Sequence, residues 1–334
     1  MAGWQAAFRQ GRQREYCSTC DGDAAMTTRF NALVIAAATL LLLSCAATTG
    51  SKTAELSNPY ILQAENHTSN GMAAMQQERW DAAMRSFSRA LTAAQLADDS
   101  ALITHSWYNL AAAQSNAKQH TQAEASYRQV MELAQRHHDQ VMQLRGRLAL
   151  HLMQQRLGRL PETFSLQQLP ASLFSKQQWP ADLHLQAARL AQRLGETAEA
   201  EDAYQLVIKR NRNTPSEFKM AAEAHMGLAL LARDRGENQT AINQAEQALS
   251  YCRQIGAARL TAHALLLQGE LAQKPVEKWD RVERALDIYI ALDDKTGQKK
   301  ALTLLSQQAN EAGDEKGAEQ LLLRLTDLED KLGE

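Results

Sequence analysis

The four cysteines are the residues of this chain best suited to covalent or metal chemistry. Cys17 and Cys20 form one C-x-x-C, but no second pair of ligands with zinc spacing accompanies it, so a metal site is not favoured. Cys252 lies on an apolar helical face, where a thiol usually acts as a small core side chain. Cys45 differs from the others because a long apolar run ends directly before it.

The residues before Cys45 have the pattern of an export signal. Arg29 supplies a positive charge, and residues 32–43 form an apolar run of twelve residues. That length is typical of the hydrophobic part of a signal peptide and is too short to span a bilayer comfortably. The alternative, a buried amphipathic helix, needs polar residues within the run, and Thr39 alone is polar.

The sequence Leu42-Leu43-Ser44-Cys45 resembles the lipobox of bacterial lipoproteins, in which a small residue precedes a cysteine. The resemblance implies diacylglycerol transfer to the Cys45 thiol, cleavage before Cys45, and acylation of the new amino terminus. Ala46 stands where an aspartate commonly signals inner-membrane retention in Gram-negative lipoproteins. The resemblance therefore implies a lipid anchor on the periplasmic face of the outer membrane, with the inner membrane as the less favoured site. Several acyl chains would hold the protein stably, since one chain binds only marginally.

Composition favours an all-α protein. The chain has 334 residues with only 16 glycines and 6 prolines, and alanine, leucine and glutamine are abundant. Good helix formers dominate, and no sustained alternation of β-branched residues indicates strands. The formal net charge of −2 provides no basic face of the kind that nucleic-acid binding usually needs, so nucleic acid is not an expected partner.

A helical hairpin pattern recurs through most of the chain after residue 60. Gly71 and Ala74 are small residues spaced for close helix contact in the first of these hairpins. Each second helix has a small residue, a bulky one four positions later in most units, and a small or branched one three further on, which share one helix face. The sets are Ala83/Phe87/Ala90, Ala123/Tyr127/Val130, Ala200/Tyr204/Val207, Ala241/Ala245/Ala248 and Ala318/Leu322/Leu325.

This arrangement resembles the tetratricopeptide repeat (TPR), a helix–turn–helix unit whose period is about 34 residues. Unit starts at residues 64, 104, 144, 181, 222, 259 and 299 give a longer period of 37–41 residues. The resemblance implies a right-handed superhelical solenoid of TPR-like hairpins. Pro161, Pro170 and Pro180 interrupt the third unit. Because an interior proline costs a helix roughly 3 kcal/mol or more, we expect its second helix to be short or distorted.

These patterns divide the chain into six segments. Residues 1–25 fit poorly before an export signal, so we interpret them as disordered or as a start-site artefact, with translation beginning at Met26. The remaining segments are a lipoprotein signal peptide (26–44), the lipidated cysteine and a tether (45–59), N-terminal TPR-like repeats (60–158), a proline-interrupted joint (159–180) and C-terminal TPR-like repeats (181–334).

No pattern of residues indicates catalysis. The sequence contains no H-E-x-x-H, Gly-rich phosphate loop or G-x-S-x-G. His137 and His138 are adjacent and would point apart on a helix, which does not suit a shared metal. Carboxylates are interspersed with lysines and arginines, the ordinary pattern of a solvated surface. We therefore expect a protein that is not an enzyme, with no metal, no cofactor other than the lipid on Cys45, and no small-molecule substrate.

Protein binding is the function that the TPR resemblance implies. In that family the first helix of each hairpin lines a groove for an extended peptide or a partner helix. Transferring groove positions onto this chain selects eight partner-binding candidates: His105, Tyr108, Ser115, Arg189, Gln192, Arg193, Met226 and Arg233. The three arginines can form a basic stripe for an acidic segment, or can be solvated surface. Met226 and Tyr108 can equally be core residues.

Two functions remain open from the sequence. The first is a lipid-anchored periplasmic scaffold whose groove binds envelope proteins or peptides, in outer-membrane, pilus or secretion, or cell-wall assembly. The second is a soluble cytoplasmic TPR-type regulator that binds a signalling peptide or partner protein. The second requires the apolar run at 32–43 to remain uncleaved, and its lack of polar residues argues against that.

Overall fold

The computed structural model describes residues 58–210 and 212–333, and over these ranges the chain is all-α. Fourteen α-helices and one short 3-10 helix fill the described part, and no strand occurs in it. Consecutive helices pack as pairs, which confirms the all-α solenoid of helical hairpins. The expectations for residues 1–57, including the signal peptide and Cys45, lie outside the described residues.

The helices are α1 (Pro59–Gln76), α2 (Trp80–Leu96), α3 (Ser100–Asn116), α4 (His120–Arg136), α5 (Gln140–Arg156), α6 (Ser172–Ser175), α7 (Ala181–Leu194), α8 (Thr197–Ile208), α9 (Pro215–Asp234), α10 (Asn238–Ile255), α11 (Ala258–Leu271), α12 (Pro275–Ala291), α13 (Lys295–Glu311) and α14 (Glu315–Gly333). The first helices of the six complete hairpins are α1, α3, α7, α9, α11 and α13. Helix α5 is the first helix of the interrupted unit.

Several first helices begin at a side-chain cap. Asp99, Asp139 and Asp294 each accept a hydrogen bond of 2.9 Å from the backbone N–H three residues later. Thr214 and Glu217 form a reciprocal capping box before α9, in which Pro215 occupies the first turn. Such caps satisfy backbone groups that a helix end leaves unpaired. The caps fix the residue at which α3, α5, α9 and α13 begin.

Alanine contacts set the distance between helices. Ala83, Ala123, Ala200 and Ala241 are all completely buried, in agreement with the repeat register. Glycines allow the closest approaches: a Cβ added at Gly227 would lie 2.2 Å from Cζ of Tyr204. Each aromatic ring thus fills the space that a missing side chain leaves on the neighbouring helix, as expected for close packing.

Residues 157–180 contain only a 3-10 turn at Leu166–Gln168 and the four-residue helix α6. The side chains of Leu169, Leu173 and Phe174 pack in one core cluster with α5, α7, α8 and α9. His184 of α7 is completely buried there, and its Nδ1 lies 2.7 Å from the Leu173 carbonyl oxygen. The interrupted unit is therefore packed into the array. The division of the repeats into two domains at 159–180 stays a prediction.

The last described hairpin differs from the others at one register position. Leu322 is 47% exposed, whereas Phe87 and Tyr204 at the equivalent position are 0% and 2% exposed. Helix α14 is the last described helix, so no following first helix packs over that face. None of the described helices has the length and apolar character needed to cross a membrane.

Candidate functional site

A groove of about 730 Å³ runs across the first helices of three successive hairpins, α9, α11 and α13. We call it the C-terminal groove. Its residues are Met226, Leu230, Arg233, Leu260, His263, Leu266, Leu267, Glu270, Tyr289, Thr296, Lys299, Lys300, Thr303, Leu304 and Gln307. The volume lies within the range of sites that hold small molecules or peptide side chains.

The floor of the groove is part of the protein core. Met226, Leu267 and Tyr289 are 7%, 4% and 0% exposed and belong to one core cluster that continues through α13. Leu230, packed against that cluster, is only partly buried and lies one turn after Met226 on α9. A rigid, well-packed floor of this kind binds without first ordering its own side chains.

Apolar side chains continue up the walls. Leu260, Leu266 and Leu304 each retain part of their surface in solvent while packing against the core cluster. Removing the remaining surface of one such leucine from water would contribute roughly 1 kcal/mol, about half the value of full burial. The walls therefore offer several apolar contacts that the chain itself leaves incomplete.

Polar groups lie along the rim. Arg233 pairs with Asp234 at 2.8 Å and with Glu270 at 3.7 Å, and Lys299 pairs with Glu329 at 2.5 Å. Lys300 makes no ion pair within the described residues. Desolvation lowers the pKa of His263, and the nearby Lys300 and Arg259 add to that effect, while Asp294 opposes it. The His263 ring is therefore mostly neutral near pH 7.

Residues 58–210 and 212–333 contain no cluster of side chains suited to metal binding. In those ranges no group of three or more His, Cys, Asp or Glu side chains is arranged to hold a metal ion. Cys252 is a free, fully buried thiol, and burial raises its pKa to about 11. Such a thiol is a poor nucleophile because it remains protonated.

Comparison with known proteins agrees with the repeat pattern. The family model described as tetratricopeptide repeat matches residues 104–137 and 181–214, which correspond to α3–α4 and α7–α8. Each of these two ranges is therefore recognised as a tetratricopeptide repeat.

Two solved structures align with most of the chain at low sequence identity, and the likeness to RapI shows a shared helical fold. The apo form of RapI is 11% identical with a TM-score of 0.54, over 80% of this chain and 77% of that one. BtubC (BKLC) from P. vanneervenii is 14% identical with a TM-score of 0.42, over 83% of this chain and 93% of that one. A comparison with curated protein sequences finds no match.

Two of the groove positions chosen from the TPR resemblance, Met226 and Arg233, line the C-terminal groove. Met226 belongs both to the core and to the groove floor: it packs in the core cluster, and the small part of its surface that stays exposed lines the groove. Arg233 contributes to the rim but is already paired with Glu270. The binding role of both residues stays a prediction.

The α7 candidates lie one helix away. Arg189 pairs with Glu223 of α9 at 3.0 Å. Gln192 accepts a 2.7 Å hydrogen bond from the Tyr204 hydroxyl, whose pKa burial raises to about 12. Arg193 contacts α5 through Gln155 and has no carboxylate partner within the described residues.

The α3 candidates do not line the C-terminal groove. His105 is exposed, Ser115 is half-buried, and Tyr108 is half-buried against Tyr127 with ring centroids 6.0 Å apart. Burial raises the pKa of Tyr108. Its edge-to-face contact with a core tyrosine makes Tyr108 partly a packing residue.

The leucines that make the groove apolar are not among the binding residues predicted from the sequence. Leu230 follows Met226 by four residues, so helical spacing placed it on the same face. Leu260 and Leu304 had no comparable signal, because leucines are frequent in the core of such helices and the exposure of each depends on the neighbouring hairpin.

Proposed function

We propose that the chain is a lipid-anchored scaffold that binds a partner polypeptide in the C-terminal groove. The observation that supports this most is the groove itself: its floor and walls are mostly apolar, they come from the first helices α9, α11 and α13 together with Tyr289 of α12, and the charged groups lie at the rim. TPR repeats support a protein or peptide partner. We propose that the chain acts by binding and not by catalysis.

An extended segment or the apolar face of a helix fits this groove. Both modes of peptide recognition rely on a few apolar anchors that enter pockets between rigid elements. The partly exposed leucines of α9, α11 and α13 provide the apolar contacts, and the rim residues Thr296, Thr303 and Gln307 supply hydrogen-bonding groups. Such polar groups fix the orientation of a bound segment.

The anchor is the second part of the proposal. It rests on the apolar run at 32–43 and the lipobox-like sequence that ends at Cys45. A lipid there, with Ala46 following, places the protein on the periplasmic face of the outer membrane. The partners are then envelope proteins or peptides, and the process is outer-membrane, pilus or secretion, or cell-wall assembly.

The groove is tested by adding a charge to its apolar lining. Leu230→Glu and Leu304→Glu, each in the full chain, should reduce recovery of specific partners from detergent-solubilised envelopes by tenfold or more, since a buried carboxylate is strongly unfavourable. Ile290→Glu is the matched control, because Ile290 is 47% exposed on the second helix α12. Equal partner recovery from all three variants and the parent would contradict the groove assignment.

The anchor is tested by labelled-palmitate incorporation followed by membrane fractionation. We expect label on the parent chain and on Cys252→Ser, and none on Cys45→Ser, which should leave the membrane fraction. Cys252 is the matched control because its thiol is fully buried. If neither the parent nor the control is labelled, the anchor is wrong and the soluble cytoplasmic regulator becomes the better hypothesis.

A further inference from the structure

Ion pairs connect successive first helices at three places. Arg145 of α5 binds Asp182 of α7 through two hydrogen bonds of 2.7 and 3.1 Å. Arg189 of α7 pairs with Glu223 of α9, and Arg233 of α9 pairs with Glu270 of α11. Two of the three arginines of the predicted basic stripe are thereby matched with a carboxylate from the next hairpin.

Two arginines on the first helices α5 and α7 have no carboxylate partner within the described residues. Arg156 and Arg193 occupy the last turns of α5 and α7. Neither makes an ion pair with any described carboxylate. The Arg193 guanidinium donates to Gln155 Oε1 at 3.3 Å, and Gln155 Nε2 donates to the Arg193 carbonyl at 3.4 Å. These contacts hold Arg193 beside the helical turn that carries Arg156.

The crowding of these cations has a physical cost. Desolvation lowers the pKa of Arg193, and the charges of Arg156 and Arg189 lower it further. Each arginine gains some stabilisation from the negative end of its own helix. An external carboxylate would relieve the repulsion more directly, through a charge-assisted hydrogen bond to a guanidinium.

We infer that the partner segment combines apolar residues, which enter the C-terminal groove, with acidic residues that pair with Arg193 and Arg156. This inference rests on the proposed function and specifies the chemistry of the partner. Glu270 is the only carboxylate among the groove-lining residues, and Arg233 already pairs with it. The unpaired charges along the path, Lys300, Arg193 and Arg156, are all positive, which gives an acidic segment electrostatic complementarity.

The distance along the partner segment between its apolar anchors and its acidic residues follows from helix packing in the chain. Neighbouring packed helices lie about 8–10 Å apart, and an extended chain advances about 3.3 Å per residue, so one helix step takes about three residues. Helix α7 is the neighbour of α9, as the Arg189–Glu223 pair shows, and α5 is the next in the row. The acidic residues should therefore stand about three to six positions from the last apolar anchor.

A random peptide library displayed on phage tests the inference against four forms of the full chain. These are the parent, the charge reversal Arg156→Glu/Arg193→Glu, the groove variant Leu230→Glu/Leu304→Glu, and the control Arg89→Glu/Lys209→Glu. Arg89 and Lys209 are exposed, belong to the second-helix side of their hairpins, and give the same change in net charge.

We expect the parent and the control to enrich peptides with apolar anchors followed or preceded by Asp or Glu. The charge reversal should keep the apolar anchors but exchange the acidic flank for Lys or Arg, and should bind the parent's peptides about tenfold more weakly. Apolar anchors with no acidic flank, or a flank unchanged by charge reversal, would overturn the inference while leaving the groove proposal intact. If no peptide is enriched, or if the groove variant enriches the parent's peptides, both proposals fail.

Discussion

The row of first helices changes character along its length. At α9, α11 and α13 its open side is apolar, and the charges there are few and mostly paired. At α5 and α7 the same side carries four arginines, Arg145, Arg156, Arg189 and Arg193, of which only Arg145 and Arg189 have ion pairs within the described residues. The buried alanine register is nevertheless the same in both parts.

This difference shows which part of a repeat carries function. Packing between hairpins fixes the small and aromatic positions, because those faces must fit a neighbour. The side chains that face the groove make few packing contacts, so their chemistry can vary from one hairpin to the next without loss of the fold. The following predictions test whether the two parts are alike in packing and different in recognition.

The largest effect is expected from overfilling the shared register. Ala200→Leu in the α7–α8 hairpin and Ala241→Leu in the α9–α10 hairpin, one in each part of the array, should each lower the free energy of unfolding by roughly 1–3 kcal/mol, because both alanines are completely buried. Chemical denaturation measures the change. Unchanged stability in both variants would contradict the register, and a loss in only one would show that the two parts do not share it.

A smaller loss is expected from adding one methyl group at a helix contact. A Cβ at Gly227 would meet the Tyr204 ring at 2.2 Å, and one at Gly71 would meet the Phe87 ring at 2.4 Å. Gly227→Ala and Gly71→Ala should therefore destabilise the chain similarly, by about 1–2 kcal/mol. Only Gly227→Ala should also weaken partner binding, since Gly227 adjoins the groove residue Met226. Equal partner binding by both variants would show that the methyl group at position 227 does not displace the groove residues of α9.

Two buried tyrosines should respond differently to loss of the hydroxyl. Tyr204 donates to Gln192 at 2.7 Å, whereas the Tyr289 hydroxyl has no hydrogen-bond partner within the described residues. Tyr204→Phe should cost about 0.5–1.5 kcal/mol of unfolding free energy, and Tyr289→Phe should cost nothing or stabilise slightly. Thermal unfolding of both variants checks this, and the reverse order would contradict the assigned contact.

The smallest effect concerns pH. Burial lowers the folded-state pKa of His184 below its unfolded value of about 6.5, so the folded chain favours the neutral ring. The stability linked to it is complete above about pH 6.5 and is lost as the pH falls from there through the lower folded-state pKa, by at most about 1.4 kcal/mol per pH unit.

His184→Gln should consequently flatten the fall of the melting temperature between pH 7 and more acidic conditions. His137→Gln, at an exposed position on the second-helix side, is the control for removal of an imidazole from the surface. Identical profiles for both variants would show that His184 does not drive the acid sensitivity.

The sequence predicted the fold well because the repeat register is a local pattern. Ala83 with Phe87, and Ala200 with Tyr204, lie four residues apart on one helix, so their shared face follows from helix geometry alone. The groove depends on contacts between hairpins. Arg189 and Glu223 are 34 positions apart, and whether their side chains pair depends on how neighbouring helices pack, which no local pattern encodes.

Contacts between hairpins also decide whether Leu322 and Leu304 are exposed, and a local sequence pattern does not show this. Leu322 occupies a core register position but is exposed, because burial there requires a following hairpin. Leu304 has ordinary helical spacing, and only the positions of α9 and α11 beside it make it a groove residue. Exposure of a leucine is thus a property of its neighbours, and sequence alone shows only which helix face it occupies.

The most direct test of the account is site-specific photo-crosslinking in intact cells. A photoreactive side chain at Leu304, in the groove, is compared with one at Ile290, which is similarly apolar but 47% exposed on the second helix α12. We expect crosslinks to a discrete protein from position 304, suppressed by Leu230→Glu, and none to that protein from position 290. Crosslinking to the same proteins with equal yield from both positions would contradict the claim that the C-terminal groove is the binding site.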